Sequence, residues 1–136
     1  MEAVTTPVEQ LMSTELLTTM PDATAADAAE TLLEEDVGSL IVFDQAGELA
    51  GVVTSTDLIE IVSAGRAPTG STISDYMTTD VVTIDAAESI HDAAVKMIRK
   101  DIQHLPVTGD GDDVVGMVSA TDVTTQMTYM GSSGTD

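Results

Sequence analysis

The sequence contains no cysteine, and this absence removes several kinds of site at once. Disulfide frameworks, thiolate metal centres and cysteine nucleophiles all require a thiol. The two histidines, His91 and His104, lack the accompanying carboxylate pattern of a metal motif. No glycine-rich phosphate-binding loop is present either. We therefore expect no bound metal, no required cofactor and no catalytic residues, and the sequence favours a protein that is not an enzyme.

Basic residues are almost as scarce. Four Lys plus Arg stand against 24 Asp plus Glu, so the formal net charge is 4 − 24 = −20. Such a chain repels nucleic-acid backbones and anionic membrane surfaces, so neither is an expected partner. In molar salt the Debye length falls to about 3 Å, and surface self-repulsion largely disappears. The composition therefore predicts an acidic halophilic protein, with a mesophilic acidic protein as the alternative.

Aromatic residues and long apolar runs are also few. Only Phe43, Tyr76 and Tyr129 are aromatic, so aliphatic side chains and methionine must fill the core. No apolar run approaches the roughly 18 residues that a transmembrane helix needs. The opening "MEAVTTPVEQLM" lacks the basic and apolar regions of a signal peptide. A cytoplasmic location is therefore expected, with one compact domain or two small units sharing a core.

The sequence is an internal duplication with an offset of 65 residues. The alignment runs without a gap from Met12 and Met77 to Leu58 and Val123. Between these ends the stretch "GVVTSTD" is matched by "GMVSATD". The spacer "AGRAPTG" carries proline and glycine and predicts a linker. We assign residues 7–64 to repeat 1, 65–71 to the linker, 72–130 to repeat 2 and 131–136 to a disordered tail.

Each repeat predicts the element order α-β-α-β-β-α. A short helix ("VEQLMST" or "ISDYMTT") and a short strand precede a longer helix, which begins at "TAAD" or "SIHD" with capping-box spacing. Two strands follow ("SLIVF" and "LAGVVT", or "HLPV" and "DVVGMVS"), and a helix ends the repeat. A three-stranded sheet with helices on one side cannot close a core alone. The predicted fold is therefore α/β (α+β), with the two repeats packed sheet to sheet about a pseudo-twofold axis.

The long helix of each repeat has an apolar stripe at helical spacing. We expect this stripe to be buried against the sheet: Ala28, Ala29, Leu32 and Leu33 in repeat 1, and Ala93, Ala94, Met97 and Ile98 in repeat 2.

The recurring Gly-x-x-Ser/Thr-x-x-Asp stretch has a local structural interpretation. The glycine can begin a strand at a bulge or turn, and Thr54 with Asp57 has the spacing of a helix capping box. Taken alone, this pattern predicts a strand followed by a capped helix.

The whole set of features resembles a pair of cystathionine-β-synthase (CBS) domains, a Bateman module. The features are the duplicated α-β-α-β-β-α unit, "HLPV" at a second strand and the repeated Gly-x-x-Ser/Thr-x-x-Asp motif, and they cover residues 7–130. The resemblance implies a regulatory module that binds an adenosine-containing ligand (AMP, ADP, ATP or S-adenosylmethionine) in clefts between the repeats. It also implies a homodimer and an unidentified partner protein that receives the signal.

The resemblance assigns roles to matching residues. Asp57 and Asp122 would accept hydrogen bonds from the ribose hydroxyls, since a carboxylate suits a vicinal diol. His104 would complete the cleft of Asp57, and Ser39 that of Asp122. The full predicted ligand-binding set is Thr18, Val37, Ser39, Ile41, Thr54, Thr56, Asp57, Thr83, Ile102, Gln103, His104, Pro106, Ser119, Thr121 and Asp122.

This sequence departs from the family pattern in its phosphate contacts. Where nucleotide-binding members often carry Arg, His or Lys, repeat 1 offers Gly38 and Ser39, and repeat 2 offers Gln103 and His104. A neutral histidine neutralises a polyphosphate poorly, which favours AMP or an adenosyl compound over ATP. The alternative is a ligand-free dimerisation scaffold.

Two further features stay open at the sequence level. His104 can instead be a polar residue bonded to backbone at a strand start, and His91 is expected on the surface. Lys96, Arg99 and Lys100 either form a solvated helix face, with Lys96 paired to Asp92, or meet an acidic helix of another module. The acidic stretch "GDGDD" is expected to be a surface turn.

Overall fold

The computed structural model describes the backbone of residues 5–134 and the side chains of residues 5–128. Within this part the chain forms two compact units. One unit is Leu17–Val81, and the other combines the chain before Leu17 with the chain from Val82 onward.

The Leu17–Val81 unit contains a three-stranded sheet and two α-helices. The strands are β1 (Thr18–Thr19), β2 (Ser39–Phe43) and β3 (Leu49–Thr54), in the order β1-β2-β3. β1 is parallel to β2, and β2 is antiparallel to β3. The helices are α1 (Ala25–Glu35), which precedes β2, and α2 (Ser55–Ser63), which follows β3 directly.

The second unit repeats this arrangement. Its strands are β4 (Ile84–Asp85), β5 (His104–Thr108) and β6 (Val114–Ser119), in the order β4-β5-β6 with the same parallel and antiparallel pairings. Its helices are α3 (Ile90–Lys100) and α4 (Ala120–Gly134). The predicted mixed α/β fold with two three-stranded sheets is therefore confirmed.

The short leading helix of each repeat packs with the sheet of the other repeat. These helices are 3-10 turns at Val8–Gln10 and Ile73–Asp75. Val8 belongs to the core of the β4–β6 unit, and Ile73 to the core of the β1–β3 unit. Equivalent backbone hydrogen bonds hold both segments, from Ile90 N–H to Thr6 O at 2.9 Å in one unit, and from Ala25 N–H to Ser71 O at 2.8 Å in the other. The two structural units thus exchange the leading segments of the two sequence repeats.

The long helices begin where the capping pattern predicts. Thr24 caps α1 and accepts a hydrogen bond from Asp27 N–H, at 3.1 Å. Ser89 caps α3 through a reciprocal capping box with Asp92. Both helices end at an aspartate whose backbone is in the left-handed conformation. This residue is Asp36 in α1, at φ 55°, and Asp101 in α3, at φ 54°.

The predicted apolar stripe is narrower than the sequence indicates. Ala28, Leu32, Ala93 and Met97 are buried, and Ala29 and Ala94 are half-buried, as expected. Leu33 and Ile98 are wrong predictions, because they are 84% and 80% exposed. Each follows a buried residue directly, and the 100° step of a helix turns its side chain away from the sheet. In each repeat the stripe therefore comprises three of the four predicted positions, and the last of the four is exposed.

The structure also describes the surface residues and the end of the chain for which the sequence made predictions. His91 is exposed, as expected, and "GDGDD" includes an exposed 3-10 turn at Asp110–Asp112. α4 runs through residues 131–134 of the predicted tail, and residues 135 and 136 lie outside the described residues. None of the described helices combines the length and apolarity needed to cross a membrane.

Candidate functional site

The "GVVTSTD" stretch forms the junction between β3 and α2. Thr54 N–H donates to Asp57 Oδ2 at 2.8 Å, and Asp57 N–H donates to Thr54 Oγ1 at 3.3 Å. This reciprocal pair is a complete capping box at the first turn of α2. The predicted strand followed by a capped helix is therefore confirmed, but Gly51 lies at a bulge inside β3 and does not begin the strand.

The second copy, "GMVSATD", builds the same junction between β6 and α4. Ser119 N–H donates to Asp122 Oδ2 at 2.9 Å, and Asp122 N–H donates to Ser119 Oγ at 3.1 Å. Both aspartates are half-buried, and the capping hydrogen bonds fix the orientation of their carboxylates. The two junctions are chemically equivalent.

Each cap uses only one oxygen of its aspartate. Within the described residues, Oδ2 of Asp57 and of Asp122 accepts the capping bond, and Oδ1 of each accepts none. A carboxylate has about four acceptor positions, so the free oxygen retains its capacity for a ligand hydroxyl. The capping role and a ligand-binding role are therefore compatible at both residues.

Only glycine fits at the first position of each motif, for a steric reason that the sequence pattern does not reveal. Gly51 and Gly116 lie inside β3 and β6, next to the bulged positions where the strand register shifts. A β-carbon built on Gly51 would lie 2.6 Å from the carbonyl oxygen of Thr78, and one on Gly116 would lie 2.9 Å from that of Ser13. The exchanged leading segment therefore crosses each strand at its glycine, which permits the close backbone approach.

The predicted residues of repeat 1 gather at one end of their sheet. Ser39 begins β2 and is the cross-strand partner of Thr54, and Thr18 in β1 is paired with Ile41. Ser55 N–H, the first of α2, donates to the carbonyl of Gly38, beside Val37, at 3.0 Å. The start of β2 and the start of α2 are thereby held together at the same end as Asp57.

The predicted residues of repeat 2 gather in the same way. His104 begins β5 and is the cross-strand partner of Ser119. Ala120 N–H, the first of α4, donates to the carbonyl of Gln103 at 2.8 Å. His104 therefore lies close to the cap of Asp122 within its own unit, whereas its predicted association with Asp57 stays a prediction.

The two sets contain both accessible and inaccessible side chains. Ile41 is 1% exposed and Ser39 is 7% exposed, and Pro106 is also buried. Ile102 packs against the core of its unit, and Thr83, His104 and Ser119 are half-buried. The exposed members are Thr18, Val37, Thr56, Gln103 and Thr121. Only the half-buried and exposed members therefore have side chains that a ligand could contact, and the side chains of the buried members are enclosed in their units.

Burial lowers the pKa of the His104 imidazole from its usual value of 6.5, and the nearby Asp122 carboxylate opposes this effect in part. The imidazole is therefore neutral near pH 7. One ring nitrogen can donate and the other can accept a hydrogen bond, but the ring supplies no positive charge.

The lowered pKa of His104 predicts that the folding stability of the protein depends on pH. The unfolded chain binds a proton at His104 more readily than the folded chain, so folding stability should fall as the pH drops below about 6.5. The loss is complete once the pH lies below the folded pKa. Urea unfolding of the wild type and His104→Gln between pH 7.5 and 5 checks this, with His91→Gln as the exposed control.

Only the His104→Gln curve should lack this loss relative to the wild type. All other ionisable groups of the described residues except His91 are common to the three proteins, so the comparison isolates His104. A wild-type profile that runs parallel to that of His104→Gln would contradict the assignment of a half-buried neutral imidazole.

Lys96 distinguishes the predicted residues of repeat 2 from those of repeat 1. Its observed partners differ from Asp92, the partner that the sequence predicts. Its ammonium donates to the carbonyl of Thr83 at 2.8 Å and lies 3.6 Å from the carboxylate of Glu88. Asp92, the predicted partner, caps α3 instead. The equivalent position in repeat 1 is Thr31, whose hydroxyl bonds within α1. The Thr83 carbonyl is therefore occupied by an ammonium group, whereas no side-chain ammonium among the described residues donates to the carbonyl of Thr18.

Pro106 adds a second difference between the sets. In repeat 1, Ile41 N–H donates to the carbonyl of Leu17 at 3.0 Å. Pro106 stands at the equivalent place in β5 and has no N–H. β4 accordingly begins at Ile84, one position later than β1 begins in its repeat.

No group of three or more His, Cys, Asp or Glu side chains in the described residues is arranged so that it could hold a metal ion.

The geometry of the two units and the sequence of the chain together identify the protein family. The CBS domain family model matches the chain twice, at residues 8–64 and 73–128. The chain belongs to the CBS domain family. Among solved structures, the CBS domain pair of protein MJ0100, in complex with 5′-methylthioadenosine and S-adenosyl-L-methionine, is similar with a TM-score of 0.85 and 27% identity. The match covers 92% of this chain and 98% of that one.

Sequence relatives differ greatly in length. An uncharacterised 17.7 kDa protein of Acidianus ambivalens is 30% identical over 87% of this chain and 71% of its own length. The L-aspartate semialdehyde sulfurtransferase of Methanocaldococcus jannaschii is 28% identical over 90% of this chain, which spans only 23% of that enzyme. The similarity to that enzyme thus covers a minor part of it.

Proposed function

We propose that this chain is a regulatory module that binds an adenosine-containing ligand of low negative charge at its Gly-x-x-Ser/Thr-x-x-Asp motifs and signals to a partner protein. The observation that carries the proposal is the half-used carboxylate of Asp57 and Asp122. Each is held by its cap and keeps one oxygen free at the end of a sheet where the other predicted residues gather. A ribose diol is a fitting ligand for that oxygen.

The similarity to the MJ0100 domain pair supports the same class of ligand. That protein binds 5′-methylthioadenosine and S-adenosyl-L-methionine, both of which contain a ribose diol and neither of which carries a phosphate. The likeness extends over nearly the whole of both chains, so the ligand proposal concerns this entire module.

Charge favours a ligand with few phosphates. The predicted set contains no Lys or Arg, and its only imidazole is neutral because burial lowers the pKa of His104. The formal charge of −20 repels polyphosphates further. S-adenosylmethionine, methylthioadenosine and AMP should therefore bind more tightly than ADP, and ATP should bind most weakly.

The asymmetry between the two sets favours the Asp57 motif. Adenine is recognised through backbone groups as well as apolar walls, and Lys96 occupies the backbone carbonyl of Thr83 in repeat 2. In repeat 1 the position of Lys96 is taken by Thr31, so no ammonium group of α1 reaches the carbonyl of Thr18. We therefore expect the stronger ligand site at Asp57.

A ligand panel tests the function. Thermal unfolding is measured in KCl with S-adenosylmethionine, methylthioadenosine, AMP, ADP, ATP and no ligand. A ligand that binds only the folded state stabilises it by about 2.7 kcal/mol at 100 times its Kd. Repeating the series from low to molar KCl also tests the halophilic prediction, since screening should raise the stability of the ligand-free chain.

The panel also separates the two functional candidates. Stabilisation by the low-charge compounds in the stated order supports the sensor. No shift with any compound would leave the ligand-free scaffold as the better function, and tighter binding of ATP than of AMP would overturn the charge argument.

A further inference from the structure

A methionine covers the glycine of each Gly-x-x-Ser/Thr-x-x-Asp motif. Met12 and Met77 occupy equivalent positions in the two repeats. The sulfur of Met77 lies 2.8 Å from the position of a β-carbon built on Gly51, and the sulfur of Met12 is the nearest atom to the same position on Gly116. Each thioether therefore lies against the backbone of a strand, at a place where only a glycine leaves room for it.

The residue after each methionine joins the leading segment to the strand that it crosses. Thr78 exchanges two backbone hydrogen bonds with Val52, at 2.9 and 3.0 Å, and Ser13 exchanges two with Met117, at 2.8 and 2.9 Å. We call the four donating N–H groups the crossing amides. The three residues that follow each methionine have exposed side chains. The methionine contact and one pair of hydrogen bonds therefore hold each leading segment where it crosses its strand.

Both thioethers are placed where a sulfur atom is favourable and an added oxygen is not. Met12 packs against the core of the β4–β6 unit, and Met77 packs against that of the β1–β3 unit. Both side chains are half-buried, so solvent reaches one part of each while the rest lies in apolar contact. A sulfoxide is polar, and it disrupts apolar contacts that a thioether stabilises.

Methionine provides all the sulfur chemistry of this chain, because the sequence contains no cysteine. No thiol of the protein therefore competes with the thioethers for an oxidant. Oxidation of a thioether to a sulfoxide is also reversible, since methionine sulfoxide reductases restore the original side chain. A methionine that holds two segments together can thus act in both directions.

We propose that Met12 and Met77 form a paired redox switch, in which a peroxide converts each thioether to a sulfoxide and thereby loosens the leading segment at its crossing. One S–O bond forms and the O–O bond of the peroxide breaks. The sulfur loses two electrons, and the second peroxide oxygen leaves as water with both protons of hydrogen peroxide. Because the positions are equivalent, both units respond to the same signal.

This proposal concerns an oxidant as a signal and does not depend on ligand binding. A ligand-free scaffold would have the same two crossings, so the ligand proposal and the redox proposal can fail separately. The ligand panel tests the first, and the ligand-free chain treated with hydrogen peroxide tests the second.

The test follows the crossing amides by hydrogen exchange, with NMR detection, before and after treatment with hydrogen peroxide. Peptide mass spectrometry identifies the methionines that carry an added oxygen. Once Met12 and Met77 are oxidised, exchange at the crossing amides should be about tenfold faster, as expected when a polar group is buried without a hydrogen bond. Treatment with methionine sulfoxide reductases of both epimer specificities should restore the original rates.

Leucine variants assign the effect to single residues, because leucine has a similar volume and cannot form a sulfoxide. After peroxide treatment, Met77→Leu should keep its exchange rates at Val52 and Thr78, and Met12→Leu should keep them at Ser13 and Met117. Each variant should still respond at the other crossing. The control Met20→Leu/Met127→Leu removes two exposed thioethers and should respond like the wild type.

If a leucine variant does not fold, Met12→Gln and Met77→Gln replace it and are measured without peroxide. The polar amide then stands in for the sulfoxide and should accelerate exchange at the crossing of the substituted residue alone. Unchanged exchange in protein whose Met12 and Met77 are oxidised overturns the proposal. So does oxidation that leaves both methionines intact in the folded chain, and so do leucine variants that respond like the wild type at their own crossing. Rates that the reductases do not restore overturn the switch.

Discussion

Gly51→Ala is expected to destabilise the protein by about 2–3 kcal/mol, because a single methyl group would enter occupied backbone space. The added carbon would lie 2.6 Å from the Thr78 carbonyl oxygen and 2.8 Å from the sulfur of Met77. Thr78 cannot simply withdraw, since it exchanges hydrogen bonds with Val52 at 2.9 and 3.0 Å. The segment must therefore shift and strain both bonds. Urea unfolding measures the loss.

Gly116→Ala provides an informative comparison. Here the added carbon meets the flexible side chain of Met12 as well as the Ser13 carbonyl oxygen, the latter at 2.9 Å. Met12→Ala should recover part of the loss at Gly116, whereas Met77→Ala should recover less at Gly51, where backbone is the main obstacle. Gly70→Ala is the matched control, because nothing lies within 4 Å of its added carbon. If Gly51→Ala proves as mild as Gly70→Ala, the crossing segment does not hold its described position.

The duplicated sequence pattern predicted the helices and strands well, because their signals depend on residues that are close together in the sequence. The strand bounds of β2 and β3 coincide with "SLIVF" and "LAGVVT", and the capped helices begin at Thr24 and Ser89 as predicted. Alternation, capping spacing and turn residues each act over a few positions. Two independent copies of every signal reinforced the prediction.

Relations between distant segments were not predictable in the same way. The exchange of leading segments depends on which sheet Val8 and Ile73 join, and both repeats have the same apolar pattern there. The reason for Gly51 follows from that exchange. The exposure of Leu33 depends on the exact phase of a helix on its sheet, and one residue of error is within the width of an apolar stripe.

The candidate site was predictable as a set of residues but not as a set of contacts. The sequence placed Asp57 and Asp122 at helix starts, and the structure adds that one oxygen of each is free. The lowered pKa of His104 and the placement of Lys96 on the Thr83 carbonyl depend on burial and on a contact 13 residues apart. A sequence pattern alone does not contain these.

Asp57→Ala is expected to weaken ligand binding by roughly 10- to 100-fold, the equivalent of losing charge-assisted hydrogen bonds of about 1.5–3 kcal/mol. It should also cost about 1 kcal/mol of stability, because the cap of α2 is lost. These two effects must be separated, since a destabilised module can lose its ligand indirectly. The chain contains a close control in Asp92, which forms the same capping box with Ser89 at the start of α3.

Asp57→Ala, Asp122→Ala and Asp92→Ala should therefore lose similar stability through the same broken cap. Asp92→Ala should keep the wild-type affinity for S-adenosylmethionine or AMP, measured by calorimetry, because its carboxylate lies outside the predicted set. Asp57→Ala should lose the most affinity, since Lys96 occupies the backbone at the Asp122 end. Equal affinity losses in Asp57→Ala and Asp92→Ala would show that the motif acts through stability alone, and unchanged affinity in Asp57→Ala would move the ligand away from this carboxylate.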